Sequence, residues 1–531
     1  MKQIITHLLF MDDLKLYANN DENLHKLVQT VQTFSKDVHM DFGLDKCAKS
    51  TIRRGKKVES EDLELNDGSH ITDLERDSTY KYLGIEENAR IEHKMMRKKA
   101  FDEYVRRLKK ICKSQLTIKN KVRAINQLAV PVVSYGFGVI DWPQKDLNAL
   151  DIKTRKILTY HKMIYRNQCL DRLYLPRSEG GIGLVEINSA HRGTIISLGQ
   201  YLISSTDPLM KIVTEQHRDI LPQNISIVKM AKNFGNDLIE DPPVEDGPPA
   251  TAQGKFKRKA YGFLERNIRM DRWRGHLRAG KFPQELDKPY IDKKTSLSWL
   301  RSGRLGFDGE RVIIAAQDQG LVTNGFKKMA GLSNNDKCRF CKEAVESPSH
   351  LMSACSTLLA DGFYTARHNR VCSYLHWTIC RAYGIETKKV WEHEPQSVTA
   401  TEKVSITYDK PIVLGRYVEG GAIKPDIIVW DHENKSAKII EVSVPNDYGL
   451  NVSERKKISK YQDLKNDLRN TWELDDIEII PIIIGATGLV KDNFVQYMKS
   501  IPGSPRAEEA QLQAVKGTIT LLKRALSHTE L

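Results

Sequence analysis

Apolar positions along this chain change their period from segment to segment, and the changes mark its elements. Residues 424–430 (KPDIIVW) and 437–444 (AKIIEVSV) are short runs rich in Ile and Val, separated by Asp431, Asn434 and Ser436. Two such runs bounded by turn residues predict a β-hairpin, with Asp426 opening one strand and Glu441 inside the other. A third run over residues 477–484 predicts a strand that extends the same sheet. Over residues 452–470 the spacing lengthens to that of a helix, with Ile458, Tyr461, Leu464 and Leu468 on the apolar side. Such a helix carries Lys457 and Lys460 on one face and Lys456 off it. Helices are also predicted over 91–130 and 144–165, and one starting near Arg367-His368-Asn369, with Val371, Leu375 and Ile379 facing a core. Near the start of the chain, Leu8, Leu9 and Phe10 precede Asp12-Asp13, and Leu14, Leu16 and Tyr17 follow, which predicts an apolar hairpin with carboxylates at its tip. Residues 241–249 (DPPVEDGPP) fit no regular element and predict a flexible junction.

Two carboxylates and a lysine placed on strand, strand and helix suit metal-dependent cleavage of a phosphodiester. Asp426 and Glu441 would hold a hard cation, Mg2+ or Mn2+, through oxygen, and Lys457 or Lys460 would steady the attacking water or the developing charge. The same residues also fit a surface hairpin whose Glu441 makes an ion pair with a helix lysine.

Charge adds a partner to this picture. The 531 residues carry 82 Lys plus Arg against 68 Asp plus Glu, a net charge of +14, which favours a polyanion. Between residues 94 and 123 there are twelve Lys or Arg and two acids, Asp102 and Glu103. Arg106, Arg107, Lys109 and Lys110 fall in this arm, while Lys257 and Arg258 fall in a second basic stretch, 255–280, interleaved with aromatics. Both would track phosphates with strong salt dependence; the alternative for either is a solvated helix face.

Eight cysteines in a chain this long argue against a disulfide scaffold and for a reducing compartment. The N-terminus has no signal pattern, and no apolar stretch reaches the roughly 20 residues of a membrane helix, so a soluble, intracellular protein is expected. Three of the cysteines form Cys338-x2-Cys341-x8-His350-x4-Cys355, a spacing that can close on structural zinc. Lys337, Arg339 and Lys342 beside it suit phosphate contacts. Buried free cysteines near a chance histidine are the alternative, and the other five cysteines read as core.

The order FMDD, GLDKCAKS, TYKYLGIE, DRLYLPRSEGGIGL, the CCHC spacing, then KPD, Glu441 and Lys457-x2-Lys460-Tyr461 resembles the C-terminal part of the polyprotein of non-LTR retrotransposons with a restriction-like endonuclease. The resemblance covers essentially the whole chain. It implies an α+β multidomain protein: the end of a reverse transcriptase palm over 1–90, a helical thumb over 91–205, a helical linker over 206–335, a CCHC zinc knuckle over 336–360, and a restriction-like α/β endonuclease core over 361–531. Implied partners are the element's RNA and target DNA, reached in the nucleus during action, with a cytoplasmic location otherwise. It makes Asp12 and Asp13 polymerase carboxylates and lets His368 approach the endonuclease site, although a helix-start histidine is equally compatible. The family's polymerase has an earlier palm strand with another metal-binding aspartate, and here only eleven residues precede Asp12. This chain alone is therefore expected not to polymerise DNA. Two functions follow as expectations, a divalent-metal DNA endonuclease and a catalytically inactive nucleic-acid-binding remnant.

Overall fold

The computed structural model describes residues 4–40, 43–235, 238, 249–412, 423–472, 474 and 476–527. Residues 241–248 of the expected proline-rich junction lie outside them. The fold is mixed α and β, with many helices and one five-stranded sheet. By internal packing the chain divides into two units that each take several segments: residues 1–107, 128–150 and 190–258 form one, and 108–127, 151–189 and 259–531 the other. Among the described residues, no helix is long and apolar enough to cross a membrane.

In the first unit, His7–Phe10 and Asp13–Leu16 pair antiparallel as a two-stranded ribbon. Met11 takes a left-handed conformation at its tip (φ 55°), and Asp12 follows in the turn. Leu9 and Phe10 of the first strand are 65% and 55% exposed, whereas Leu16 of the second packs against the core of Val28, Leu63, Leu65 and Ile71. Tyr80–Tyr82 and Ile85–Glu87 form a second ribbon, turned by Leu83 and Gly84, both at positive φ, as a two-residue hairpin turn requires.

The five-stranded sheet lies in the second unit, in the order Asp476–Ile483, Ser436–Ser443, Ile427–Asp431, Val404–Tyr408, Val398–Ala400. Its first two strands are parallel and the remaining neighbours antiparallel. Both faces are covered, which is why these strands read as continuous apolar runs rather than alternating ones. Ile427, Val429, Ile440, Val442, Ile480 and Ile482 pack with Val371, Leu375 and Ile379 of the Phe363–Ala382 helix and with Ala510 and Ala514 of the Ala507–Ser527 helix. Ile428, Ala437, Ile439 and Ile477 pack on the opposite face with Tyr461, Leu464 and Leu468.

The single helix predicted over 452–470 is two, Leu450–Lys460 and Gln462–Trp472. Tyr461 separates them because its ring is fully buried against the sheet and its hydroxyl donates to the Lys424 carbonyl, 3.0 Å away. Helices recur through residues 250–329, and Trp273, Phe282 and Leu297 share a core with Leu450, Ile483 and Leu489. Within the DRLYLPRSEGGIGL motif, Arg172 is buried and donates to Asp318 at 2.8 Å, and Arg177 pairs with Glu310 at 2.6 Å. A Cβ on Gly181 would meet the Leu175 carbonyl oxygen at 2.0 Å, so only glycine permits this turn. The motif's visible role is therefore to fix backbone in the unit's interior.

Candidate active site and metal centre

The register of the central hairpin brings the two carboxylates together. Ile427 pairs with Ile440, so one step further Asp426 stands beside Glu441, on the face covered by the Leu450–Lys460 and Gln462–Trp472 helices. Asp426 sits just before its strand rather than in it. Its backbone N–H donates to Glu441 Oε1 at 2.9 Å, and the backbone N–H of Val442 donates to Asp426 Oδ2 at 2.8 Å. Lys457 reaches in from the Leu450–Lys460 helix, with Nζ 2.7 Å from Glu441 Oε2 and 3.7 Å from Asp426 Oδ2. His368, from the Phe363–Ala382 helix, brings Nε2 to 3.1 Å from Asp426 Oδ2. Behind it lies Cys372, one turn along, with its sulfur 3.7 Å from His368 Nδ1.

Burial and charge divide the two acids. The Glu441 side chain is fully buried, and burial followed by the Asp426 charge raises its pKa against the opposing pull of Lys457. Burial also opposes charge on Asp426, but the hydrogen bond and charge of His368 outweigh it and hold this carboxyl below its ordinary range. His368 is itself pushed up to about 11, because the Cys372 sulfur and Asp426 overcome its burial. Burial likewise works against the Lys457 ammonium, yet Glu441 and Asp426 raise its pKa. The cluster thus holds a buried acid, an ionised acid and two cations at one end of the sheet, where proton and charge are finely partitioned.

Lys460 does not join Lys457. Its Nζ donates to the Tyr461 hydroxyl at 2.9 Å and lies over that ring, because Tyr461, buried at the break between the helices, captures the last side chain of the first one. The neighbouring arginine of the Arg367-His368 pair serves structure: Arg367 is buried and donates to the Met352 and Val444 carbonyls at 2.8 and 2.9 Å. Of the pair, only His368 belongs to the carboxylate cluster. Cys372, read from the sequence as a core residue, is buried but also touches the cluster through His368; its helical i,i+4 spacing from His368 was the available signal.

Cys338, Cys341, His350 and Cys355 come together, their ligand atoms all within 4.8 Å of one another. The Cys338 and Cys355 sulfurs are 3.8 Å apart, and Cys341 Sγ is 3.4 Å from His350 Nε2. A tetrahedral zinc with Zn–S near 2.3 Å sets two thiolates about 3.8 Å apart, so this cluster has the size that a metal such as zinc requires. Lys342, in left-handed conformation, returns its N–H to the Cys338 carbonyl and closes the turn between the first two cysteines. Cys338, Leu351, Cys355 and Leu358 share a core with Leu521, Leu522 and Ala525. The expected phosphate contact at Arg339 is not available, because its guanidinium is held by the buried Glu346 carboxylate. Lys337 donates to the Glu343 carbonyl at 2.8 Å.

The other expected nucleic-acid contacts separate on exposure. Arg106, Arg107, Lys109, Lys110 and Arg258 are exposed, although Glu103 pairs with Arg106 at 2.6 Å and with Arg107 at 2.7 Å. Lys257 is 8% exposed and cannot present its ammonium to a phosphate, since its position on the Ala250–Gly275 helix turns it inward. Asp12 and Asp13 are adjacent at the ribbon tip, but among the described residues they join no group of three metal-ligating side chains. No protein-family model matches the chain, and no curated protein sequence matches it.

Proposed function

We propose that the chain is a metal-dependent DNA endonuclease joined to nucleic-acid-binding helical segments, similar to the C-terminal part of non-LTR retrotransposon polyproteins. The observation that carries this reading is the convergence of Asp426, Glu441 and Lys457 from a strand start, a strand and a helix, with His368 against Asp426. The two carboxylates are the oxygen donors that Mg2+ or Mn2+ prefers, and the contacts to Asp426 fall on Oδ2. Such an ion, when bound, polarises a phosphoryl oxygen and lowers the pKa of its water. Lys457 supplies a fixed positive charge for an oxygen that becomes anionic, and His368 orients the Asp426 carboxylate. The Cys338, Cys341, His350 and Cys355 group would hold zinc as a structural knuckle, and Arg106, Arg107, Lys109, Lys110 and Arg258 would contact RNA and DNA phosphates. The test is nicking of supercoiled DNA with magnesium or manganese: wild type should nick and Asp426→Ala should not, while equal rates would sink the assignment.

A second reading, a binding protein that cuts nothing, is favoured by one observation. Lys457 and His368 already neutralise the two carboxylates, so the cluster is satisfied internally. Salt-dependent DNA binding by a wild type that never nicks, at any magnesium or manganese concentration, would select it.

A further inference from the structure

We infer that His376, Cys380 and His393 form a second transition-metal site, separate from the Cys338 cluster and from the carboxylates. His376 and Cys380 are four residues apart on the Phe363–Ala382 helix and so share a face. His393 arrives from the chain that follows, folded back onto that helix. Its carbonyl accepts a hydrogen bond from the Ser373 hydroxyl at 3.0 Å, and the Trp377 indole N–H donates to the Lys388 carbonyl at 3.0 Å. These two anchors turn the His393 ring toward the helix. His376 Nδ1 then lies 2.8 Å from His393 Nε2 and 3.5 Å from Cys380 Sγ, and all three ligand atoms fall within 4.8 Å of one another.

Two imidazoles and a thiolate are a donor set suited to zinc, and three protein ligands leave one tetrahedral position for water. His376 and Cys380 are 1% and 2% exposed. A neutral imidazole is the form that ligates a metal. Coordination would release the Cys380 thiol proton to solvent as the sulfur–metal bond forms. A zinc ion would set the two imidazole nitrogens about 3.3 Å apart. The His393 side must therefore yield by about half an ångström, which a surface segment carrying the 74%-exposed Trp391 can do. The ion would clamp the segment leading to the Val398–Ala400 edge strand onto the helix that carries His368. Without it, the hydrogen-bonded imidazole pair does the same work more weakly.

Elemental analysis of the full chain, purified and desalted without chelator, tests this. The expected result is two zinc ions per chain in wild type and one in both His393→Ala and Cys341→Ser. A wild type with one zinc or none overturns the inference, as does His393→Ala retaining two. Should His393→Ala fail to fold, cobalt titration of the metal-stripped wild type replaces it. Two cobalt equivalents are expected, with thiolate charge-transfer absorption much weaker per ion at the one-sulfur site than at the three-sulfur site; saturation at one equivalent overturns the inference.

Discussion

Asp426 and Glu441 are locked to each other through the backbone: the Asp426 N–H donates to Glu441 Oε1 at 2.9 Å, and the N–H of Val442, next to Glu441, donates to Asp426 Oδ2 at 2.8 Å. Each carboxylate is thereby aimed by a backbone N–H of the segment that carries the other. If the proposed nuclease is correct, Asp426→Ala and Glu441→Ala should each reduce nicking by at least a hundredfold. DNA binding should change by less than threefold, since phosphate contacts lie elsewhere. Gel-shift and plasmid-nicking assays on the same preparations separate the two effects.

Lys457 and Lys460 should behave differently although they lie on one helix. Lys457→Ala should lower the nicking rate at saturating magnesium and also destabilise the protein, because it leaves the buried Glu441 without its cation. Removing one partner of a buried pair costs about 3 kcal/mol unless the acid takes up a proton. Lys460→Ala removes only a contact to Tyr461 and should nick at close to the wild-type rate. Comparable loss in both variants, with melting unchanged, would mean that DNA reads the helix as a charged surface and that Lys457 has no special place.

Cys341→Ser should release metal from the Cys338 cluster and weaken the core that Cys338 and Cys355 share with Leu521 and Leu522. The melting temperature of wild type should fall when a strong chelator is added, and that of the variant should fall by less, since only the ion at the His376 site is left to remove. A chelator-insensitive wild type would leave these cysteines as packing residues.

His191 predicts an acid-labile first unit. It is 5% exposed, packs edge-to-face on Phe137 at 5.1 Å, and leaves Nδ1 without a partner. Burial, then the charge of Arg192, lowers its pKa to about 4. The unfolded chain takes up the proton near pH 6.5 and the folded one only near 4. Stability from this group is complete above about pH 6.5 and declines as the pH falls to 4, by about 3 kcal/mol at 1.36 kcal/mol per unit. Denaturant titrations at pH 7 and 4.5 should show that His191→Phe removes a large part of the acid-side loss.

Reversing Arg106, Arg107, Lys109 and Lys110 to glutamate should weaken RNA and DNA binding and flatten its dependence on salt. Arg258→Glu should act in the same direction. Lys257→Glu should instead destabilise the protein, because that position is buried. An unchanged salt slope in the fourfold variant would identify the arm as a solvated face.

Several features were fixed by local sequence. The Ile- and Val-rich runs and their turn residues determined the 427–443 hairpin, and the hairpin determined that Asp426 and Glu441 meet, because antiparallel register follows from a short turn. The cysteine and histidine spacing determined the Cys338 cluster in the same way, and helical periodicity determined the helix carrying Val371, Leu375 and Ile379. Tertiary packing decided what periodicity leaves open. It buried Tyr461, broke the helix there, and so sent Lys457 to the carboxylates and Lys460 away from them. It turned Lys257 and Arg339 inward, although a charged residue in a basic stretch looks the same in sequence whether it faces water or a carboxylate. It brought His393 to His376 and Cys380 across a loop that has no repeating pattern to read. Local sequence sets period and turn, which depend on a few neighbouring residues, whereas the direction of a long side chain depends on which distant surface closes over it.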